Sequence, residues 1–241
     1  MTIEILYSEL TNIYGDLGNI RFLEKTLEKE NVKFIYTKIN DKPYFSSNKV
    51  NMIYMGSMPD EYQELIVKKL LPYKEKLKKL IDDDVIVLFT GTALEIVGEY
   101  ILEDDKKIPG LNLFDVYFVR DKKRRHNSLF VGTFNNIKLV GNRSQFTFMY
   151  GNNKYPFMKV RKGCFGMNKE SDIEGINYKN FFATYLLGPI LVLNPYFTKY
   201  LLQKMNINTP CFKENDVILA YEERLKNYDN DKTRFLLGDH G

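Results

Sequence analysis

The sequence has no tryptophan and contains only two cysteines and two histidines among its 241 residues. The cysteines, Cys164 and Cys211, are too few for a disulfide framework, and they do not show the spacing of a metal site. Reduced thiols in the cytosol are the simplest interpretation. We therefore expect no metal, and nothing in the sequence calls for a cofactor.

Long apolar runs are also absent, since no stretch approaches the about 18 apolar residues that a membrane helix requires. The first ten residues carry acidic side chains and no basic run before an apolar stretch, so they do not resemble a signal peptide. The net charge of +4, from 35 basic and 31 acidic residues, is too small to demand nucleic acid or membrane as a partner. These features predict a cytoplasmic protein without membrane insertion or a nucleic-acid partner.

No linker, repeat or low-complexity stretch divides the chain, which predicts a single domain over residues 1–241. The first half alternates strand-like and helix-like segments. Its strongest strand signal is Val85–Phe89, because five consecutive apolar residues are typical of a parallel strand buried on both faces. A helix is predicted from Pro59 with a break at Pro72, and another over 93–101. This order favours an α/β fold with a doubly wound, mostly parallel sheet flanked by helices.

The second half adds strands of a different kind. Predicted strands at 128–134 and 137–140 are separated by Asn135 and Asn136, which suit a hairpin turn because asparagine tolerates positive φ. Extra antiparallel strands are therefore expected there. A helical extension is predicted over 196–228, and a polar tail over 229–241.

The chemistry of an open parallel sheet is expected at the carboxyl ends of its strands. Two such ends stand out, Gly56–Met58 and Thr90–Thr92. Hydrolases hold a nucleophile on a sharp strand-turn-helix elbow, and main-chain N–H groups of a neighbouring turn form an oxyanion hole beside it. Here the tip of the elbow is Gly91, and glycine supplies no nucleophile.

Five segments carry a resemblance to a known family, and they occur in that family's order: Leu10–Ile20, Met55–Gln63, Val87–Tyr100, Ile108–Val116 and Ile176–Pro195. On these motifs the chain resembles the cobyric-acid-synthase-type class I glutamine amidotransferases. Within them it is most similar to the glutaminase subunits of lipid II isoglutaminyl synthases. The resemblance covers about residues 10–195 and implies a class I glutamine amidotransferase-like, flavodoxin-like fold.

The same resemblance implies that the reactive residues have been lost. Such enzymes attack the glutamine amide with a cysteine thiolate that a histidine activates. The family's cysteine falls on Gly91 and its histidine on Leu187, while a third family stretch, at 141–147, is eroded. A hydroxyl of Thr90 or Thr92 would still lack a base. We therefore predict a pseudo-glutaminase without useful activity.

Other reactive side chains are weaker candidates. Cys164 is the outside candidate for an unconventional nucleophile, although a lone cysteine is more often a small buried hydrophobe. Cys211 lies beyond the matched region and is expected to be structural. His126, in a basic loop, and His240, in the tail, are not expected to act as bases.

The former glutamine pocket is expected to involve Gly56, Ser57, Thr92 and Gln145 as substrate-binding positions. Their polar groups suit a small amino-acid-like ligand. The competing interpretation is that they are solvated turn residues, since turns favour small polar side chains in any case.

The basic run Asp121–His126 is predicted to form a solvated turn. A contact with a phosphate or with an acidic partner is the minority interpretation.

Three functions remain open from the sequence. The first is a catalytically inactive subunit of a Mur-ligase-like amidating enzyme in cell-wall precursor modification, as the resemblance implies. The motifs at 12–19 and 178–180 are kept, which is the pattern expected of selection for fold and docking. The second is a small-ligand-binding module that uses the former glutamine pocket. The third is an active glutaminase with an unconventional nucleophile.

Overall fold

The structure is a computed structural model that describes the backbone of residues 1–240 and the side chains of residues 1–237. The strands are β1 (Thr2–Leu6), β2 (Lys33–Thr37), β3 (Met52–Met55), β4 (Ile86–Thr90), β5 (Tyr100–Glu103), β6 (Lys106–Pro109), β7 (Val116–Arg120), β8 (Arg125–Phe134), β9 (Ile137–Gln145), β10 (Thr147–Gly151), β11 (Pro156–Lys162), β12 (Ile173–Tyr178), β13 (Phe181–Thr184) and β14 (Leu236–His240). The α-helices are α1 (Asp16–Thr26), α2 (Asp60–Leu70), α3 (Lys74–Asp82), α4 (Ile190–Leu193), α5 (Pro195–Lys204) and α6 (Glu214–Asp229).

The parallel part of the main sheet has the order β2-β1-β3-β4-β13. Every residue of β4 is buried, because this strand has neighbours on both edges and packed side chains on both faces. The run of apolar residues in the sequence therefore marks the centre of the parallel block. The predicted α/β fold with a parallel sheet flanked by helices is confirmed.

The rest of the main sheet is antiparallel and comes mostly from the second half of the chain. Beyond β13 the order continues β12-β11-β8-β14, and β9 pairs with β8 through a hairpin. Asn135 and Asn136 in its turn have φ of 45° and 65°, as predicted. A separate four-stranded sheet has the order β10-β7-β5-β6.

The predicted break at Pro72 is confirmed, because a 3-10 turn at Leu71–Tyr73 separates α2 from α3. The helix predicted over 93–101 is wrong. Residues Gly91–Val97 form a 3-10 helix, and the chain then enters β5. A Cβ atom on Gly98 would lie 2.5 Å from the Val116 carbonyl oxygen, so the backbone runs close beside β7 and joins the second sheet.

Two apolar cores cover the opposite faces of the main sheet, because successive side chains of a strand point to opposite sides. In β4, Val87 and Phe89 belong to the core under α2 and α3, whereas Leu88 belongs to the core under α1, α4 and α5. The second core contains a chain of phenylalanine rings whose centroids lie 5.0–5.5 Å apart, Phe134, Phe157, Phe182 and Phe197. Within the described residues, no helix has the length and apolar character needed to cross a membrane.

A buried polar network fastens α1 to the sheet. The Asn19 amide donates to Tyr54 Oη at 2.9 Å and to Asp16 Oδ1 at 3.1 Å, and Asn19 Oδ1 accepts from the Leu191 amide at 2.8 Å. Tyr54 Oη also donates to Asp16 Oδ1 at 2.8 Å. Asp16 and Asn19 are buried, so these two positions of the motif at 12–19 hold the fold instead of presenting a docking surface.

The motif at 178–180 was also expected to serve docking, but its last two residues contact another segment of the protein. Asn180 Nδ2 donates to the Asp84 carbonyl oxygen at 2.8 Å and so fixes the turn between α3 and β4. Lys179 reaches the Asp82 carbonyl oxygen of the same segment. Retention of this motif is therefore explained by the packing of the β12–β13 hairpin against that turn.

We expect Asn19→Ala to lower the free energy of unfolding by about 2 kcal/mol, because it leaves the buried Leu191 amide without an acceptor. Urea denaturation followed by circular dichroism measures the change.

Asn12→Ala is the matched control, since Asn12 belongs to the same motif but is exposed and makes one hydrogen bond to the Ser8 carbonyl. Its expected cost is below about 0.5 kcal/mol. Equal losses in the two variants would show that the network under α1 does not stabilise the fold.

Candidate functional site

The elbow after β4 lies beside the turn after β3, as expected of neighbouring parallel strands. Gly91 has φ of +58°, the left-handed conformation of a sharp turn. A Cβ atom built there would lie 2.5 Å from Ser57 Cβ and 2.9 Å from Leu187 Cδ2, and it would also overlap Ser57 Oγ. Close-packed interiors do not accommodate such separations. The space for a side chain at the tip of the elbow is already filled.

Leu187 is held in this position by the antiparallel half of the sheet. Its amide donates to the Asn142 carbonyl oxygen at 2.8 Å, and the two residues form an isolated β-bridge. The structure thus brings together positions 91 and 187, which lie 96 residues apart and which the sequence resemblance pairs as nucleophile and base. Neither carries a group that can attack or accept a proton.

Two main-chain N–H groups at the elbow are also occupied. The Thr92 amide donates to Ser57 Oγ at 3.2 Å, and the Met58 amide donates to Thr92 Oγ1 at 2.8 Å. Thr92 Oγ1 in turn donates to the Met58 carbonyl oxygen at 2.6 Å. The amide after the elbow tip and one from a neighbouring turn are the donors that an acyl-transfer enzyme aims at its oxyanion. Here the Ser57 and Thr92 hydroxyls, which we call the hydroxyl plug, satisfy them internally.

Asp16 holds the two turns that carry the hydroxyl plug. Its Oδ2 accepts from the Ser57 amide at 2.5 Å, and its Oδ1 accepts from Thr90 Oγ1 at 2.7 Å. Desolvation by burial raises the pKa of Asp16, and these hydrogen bonds oppose the rise. A Cβ atom on Gly56 would lie 2.8 Å from Asp16 Cβ, so Gly56 permits close approach of the turn. Gly56 and Ser57 are buried, and the structure places both behind the surface of the site.

A cavity of about 400 Å³ opens above the plug, and its lining includes Thr92 and Gln145 among the predicted ligand-binding residues. The remaining lining residues are Ile13, Tyr14, Met58, Pro59, Asp60, Glu61, Glu95, Lys122, Arg125, Ser144, Phe146 and Thr147. Acidic side chains come from the start of α2 and from the 3-10 helix after the elbow. The basic ones are Lys122, between β7 and β8, and Arg125, at the start of β8. The cavity can therefore offer charges of both signs to one small molecule.

Two buried polar atoms in this wall have no hydrogen-bond partner among the described residues, Gln145 Oε1 and Arg125 Nε. Gln145 Nε2 donates to the Thr147 carbonyl oxygen at 2.7 Å, which fixes the orientation of the amide. The Arg125 guanidinium lies 4.7 Å above the Phe146 ring, and its Nη2 donates to Tyr14 Oη at 3.3 Å. An unpaired acceptor and an unpaired donor therefore share the cavity wall.

A buried ionic cluster around Arg120 includes Glu95, which lines the cavity. Arg120 donates to Glu95 at 2.6 Å and to Glu103 at 2.8 Å, and it also contacts Gln63 Oε1. Burial raises the pKa of Glu95, and the Arg120 charge opposes the rise. Gln63 donates to Glu95 at 3.0 Å, so this retained position of the family motif braces α2 against the 3-10 helix after the elbow.

The remaining sequence candidates lie elsewhere. Cys164 is exposed in the loop after β11, and it is not among the residues that line the cavity. Cys211 is buried, and burial raises the pKa of its thiol to about 11. His126 was expected in a loop but lies in β8, where it is buried, contacts Ser128 Oγ at 2.9 Å and packs on an aromatic ring. The side chain of His240 falls outside the described part of the chain.

The basic run is only partly the solvated turn that was predicted. Residues 121–124 form an exposed turn, whereas Arg125 enters β8 and lines the cavity. Sequence reasoning missed Arg125, Tyr14 and Lys122 as cavity residues. The signal was present in the charge of the run and in the motif that contains Tyr14, but only the fold shows that the two segments meet.

Comparison with known proteins adds the family context. The profile of the CobB/CobQ-like glutamine amidotransferase domain matches residues 2–194. The chain is 31% identical over 207 residues to the lipid II isoglutaminyl synthase (glutamine-hydrolyzing) subunit GatD of Staphylococcus aureus, covering 85% of this chain and 84% of that protein. It is also 31% identical over 202 residues to the GatD subunit of Streptococcus pneumoniae, covering 80% of this chain and 76% of that protein.

The solved structures agree at the level of fold. A crystal structure described as a glutamine amidotransferase superposes with a TM-score of 0.55 at 8% identity, covering 85% of this chain and 99% of that one. At this identity the likeness concerns the architecture alone.

The filled elbow leads to a double-mutant cycle. We expect Gly91→Cys alone to lower the free energy of unfolding by about 3 kcal/mol, because the new side chain overlaps Ser57 and Leu187. Ser57→Gly should relieve part of this overlap, so the double variant should be more stable than the sum of the single losses predicts. The expected coupling is about 1 kcal/mol, measured by urea denaturation. Strictly additive losses would mean that the Ser57 side chain does not occupy the space above Gly91.

Proposed function

The chain belongs to the CobB/CobQ-like glutamine amidotransferase domain family, and from this we propose that it is a non-catalytic, glutaminase-type subunit that supports a partner enzyme. The observation that carries the proposal is the filled reaction centre. Gly91 and Leu187 supply neither nucleophile nor base, and the hydroxyl plug occupies both main-chain donors. Three independent requirements of glutamine hydrolysis are therefore unmet at one place.

The partner is a Mur-ligase-like amidating enzyme that acts in the cytoplasm on a cell-wall precursor. Support comes from the two relatives, each of which is named as a subunit of a lipid II isoglutaminyl synthase. The match covers 84% and 76% of the length of these two relatives. With its own chemistry absent, it serves to hold the ligase in an active shape while free ammonia supplies the nitrogen.

Ammonia release from L-glutamine tests the proposal most directly. The test compares release by the protein alone with release by its mixture with any Mur-ligase-like protein encoded beside it, and follows co-elution in size-exclusion chromatography. Loss of one member of a catalytic pair costs several orders of magnitude in rate, so no release above background is expected in either case. Co-elution is expected, and the ligase should amidate its substrate faster with free ammonia when the subunit is present.

Two controls separate the alternatives. Release that depends on the partner would contradict inactivity, and its loss in Cys164→Ala, but not in Cys211→Ala, would assign an unconventional nucleophile to the exposed thiol. A chain that neither co-elutes with the ligase nor changes its rate would contradict the supporting role.

A second candidate function is a small-ligand sensor, and the unpaired atoms of the cavity favour it. Gln145 Oε1 needs a donor and Arg125 Nε needs an acceptor. Asp60, 3.6 Å from Arg120, and Lys122, 2.5 Å from Glu103, add one charge of each sign to the lining. A zwitterionic, amino-acid-like molecule meets both unpaired atoms at once. Because the elbow is plugged, such a ligand would be bound and released unchanged.

We expect at least one amino acid in a thermal-shift screen to stabilise the protein, by about 2.7 kcal/mol when its concentration is 100 times the dissociation constant. Arg125→Gln should weaken that binding by about tenfold, because it removes a charged donor from the cavity wall. Arg124→Gln is the matched control, since Arg124 is the exposed neighbour outside the cavity. Equal effects of the two variants would place the ligand elsewhere.

A further inference from the structure

An apolar groove of about 480 Å³ lies between α1 and α6, on the outer surface of the α1 side of the sheet. The Phe212 amide donates to Thr26 Oγ1 at 3.0 Å, which places the start of α6 beside the end of α1. Apolar lining comes from both helices and from the segments that precede α5 and α6, with Phe22, Val192, Phe212 and Val217 as its larger side chains.

The rim of the groove is mainly basic. Arg21, Lys25 and Lys213 line it together with one acidic residue, Asp216. Lys25 pairs with Glu28 at 3.1 Å. Among the described side chains, neither Arg21 nor Lys213 has an acidic group within ion-pair distance, so both cations remain available to an acidic surface.

The outward face of α6 has the opposite character. Leu219 is 64% exposed, the most exposed of the large apolar side chains described, and Glu222 and Glu223 lie exposed one turn further along the helix. Together with Asp216, one turn before Leu219, they form an acidic stripe around a protruding leucine. Tyr221, on the other side of the helix, packs into the protein.

We propose that the groove receives α6 of a second copy of this chain. Leu219 of each copy enters the apolar groove of the other, and the acidic stripe of each meets the basic rim of the other. An interface with twofold symmetry makes every such contact twice, which strengthens a small patch. A helix that lays apolar and charged residues into a groove is a common mode of protein recognition.

The second copy is the favoured occupant because both complementary surfaces lie on this one chain and adjoin each other. The groove offers apolar walls with the cations Arg21 and Lys213, and α6 offers an exposed leucine between acidic side chains. Asp216 belongs to the rim as well, and Glu223 lies 4.0 Å from Lys226, so Glu222 is the carboxylate of the stripe without an ion pair among the described side chains. This inference does not depend on the proposed function. The α1 and α6 groove shares no lining residue with the cavity above the elbow, so the test does not use ligand binding or partner chemistry.

Sedimentation velocity of the full chain over a range of concentrations tests the proposal. The wild-type protein should associate to a dimer with a dissociation constant of roughly 10 μM. Leu219→Glu should weaken dimerisation by at least about tenfold, because it places a charge in the apolar groove. High salt should also weaken the wild-type dimer, since it screens the charges of the rim.

Leu71→Glu is the matched control, because Leu71 is 53% exposed and lies between α2 and α3 on the opposite face of the sheet. It should dimerise as the wild type does, and the circular dichroism spectra of the two variants should match that of the wild type. A wild-type chain that stays monomeric throughout the range overturns the proposal. Dimerisation of Leu219→Glu with wild-type affinity overturns it equally.

Discussion

The buried carboxylate of Asp16 is the constraint on which the rest of this structure depends. It accepts hydrogen bonds from Asn19 Nδ2 of α1, Tyr54 Oη of β3, the Ser57 amide of the turn after β3 and Thr90 Oγ1 of β4. A carboxylate removed from water is costly unless its lone pairs are satisfied. No single neighbouring segment satisfies all the lone pairs of Asp16. The carboxyl ends of β3 and β4 and the start of α1 must therefore assemble together.

That constraint holds the turns of the elbow together without using the side chains at its tip. The network that shapes the elbow ends at the Ser57 main chain, so it places no demand on the side chains at 57, 91 and 187. Those positions now hold a hydroxyl that satisfies a main-chain donor, a glycine and a leucine, and they pack against one another. Fold and reactivity are separable here because the hydrogen bonds that hold the turn are different from those that would hold a reacting amide.

The chain keeps unsatisfied features at two separate places. Above the elbow, Gln145 Oε1 and Arg125 Nε are buried without partners among the described residues, which is unusual in a folded protein. Beside α6, an exposed leucine and charged side chains of both signs surround an apolar groove. The first place suits a small polar molecule and the second suits a protein helix.

The sequence by itself determined the features whose cause is local. The apolar run Val85–Phe89 defined the central strand, Pro72 ended a helix, and glycine at 91 and leucine at 187 gave those positions neither a thiol nor an imidazole. Only the tertiary structure decided the rest, because the deciding partners are distant along the chain. Ile101, at the end of the segment predicted as a helix over 93–101, pairs with Phe118 of β7. Arg125 donates a hydrogen bond to Tyr14, 111 residues away, and both line the cavity.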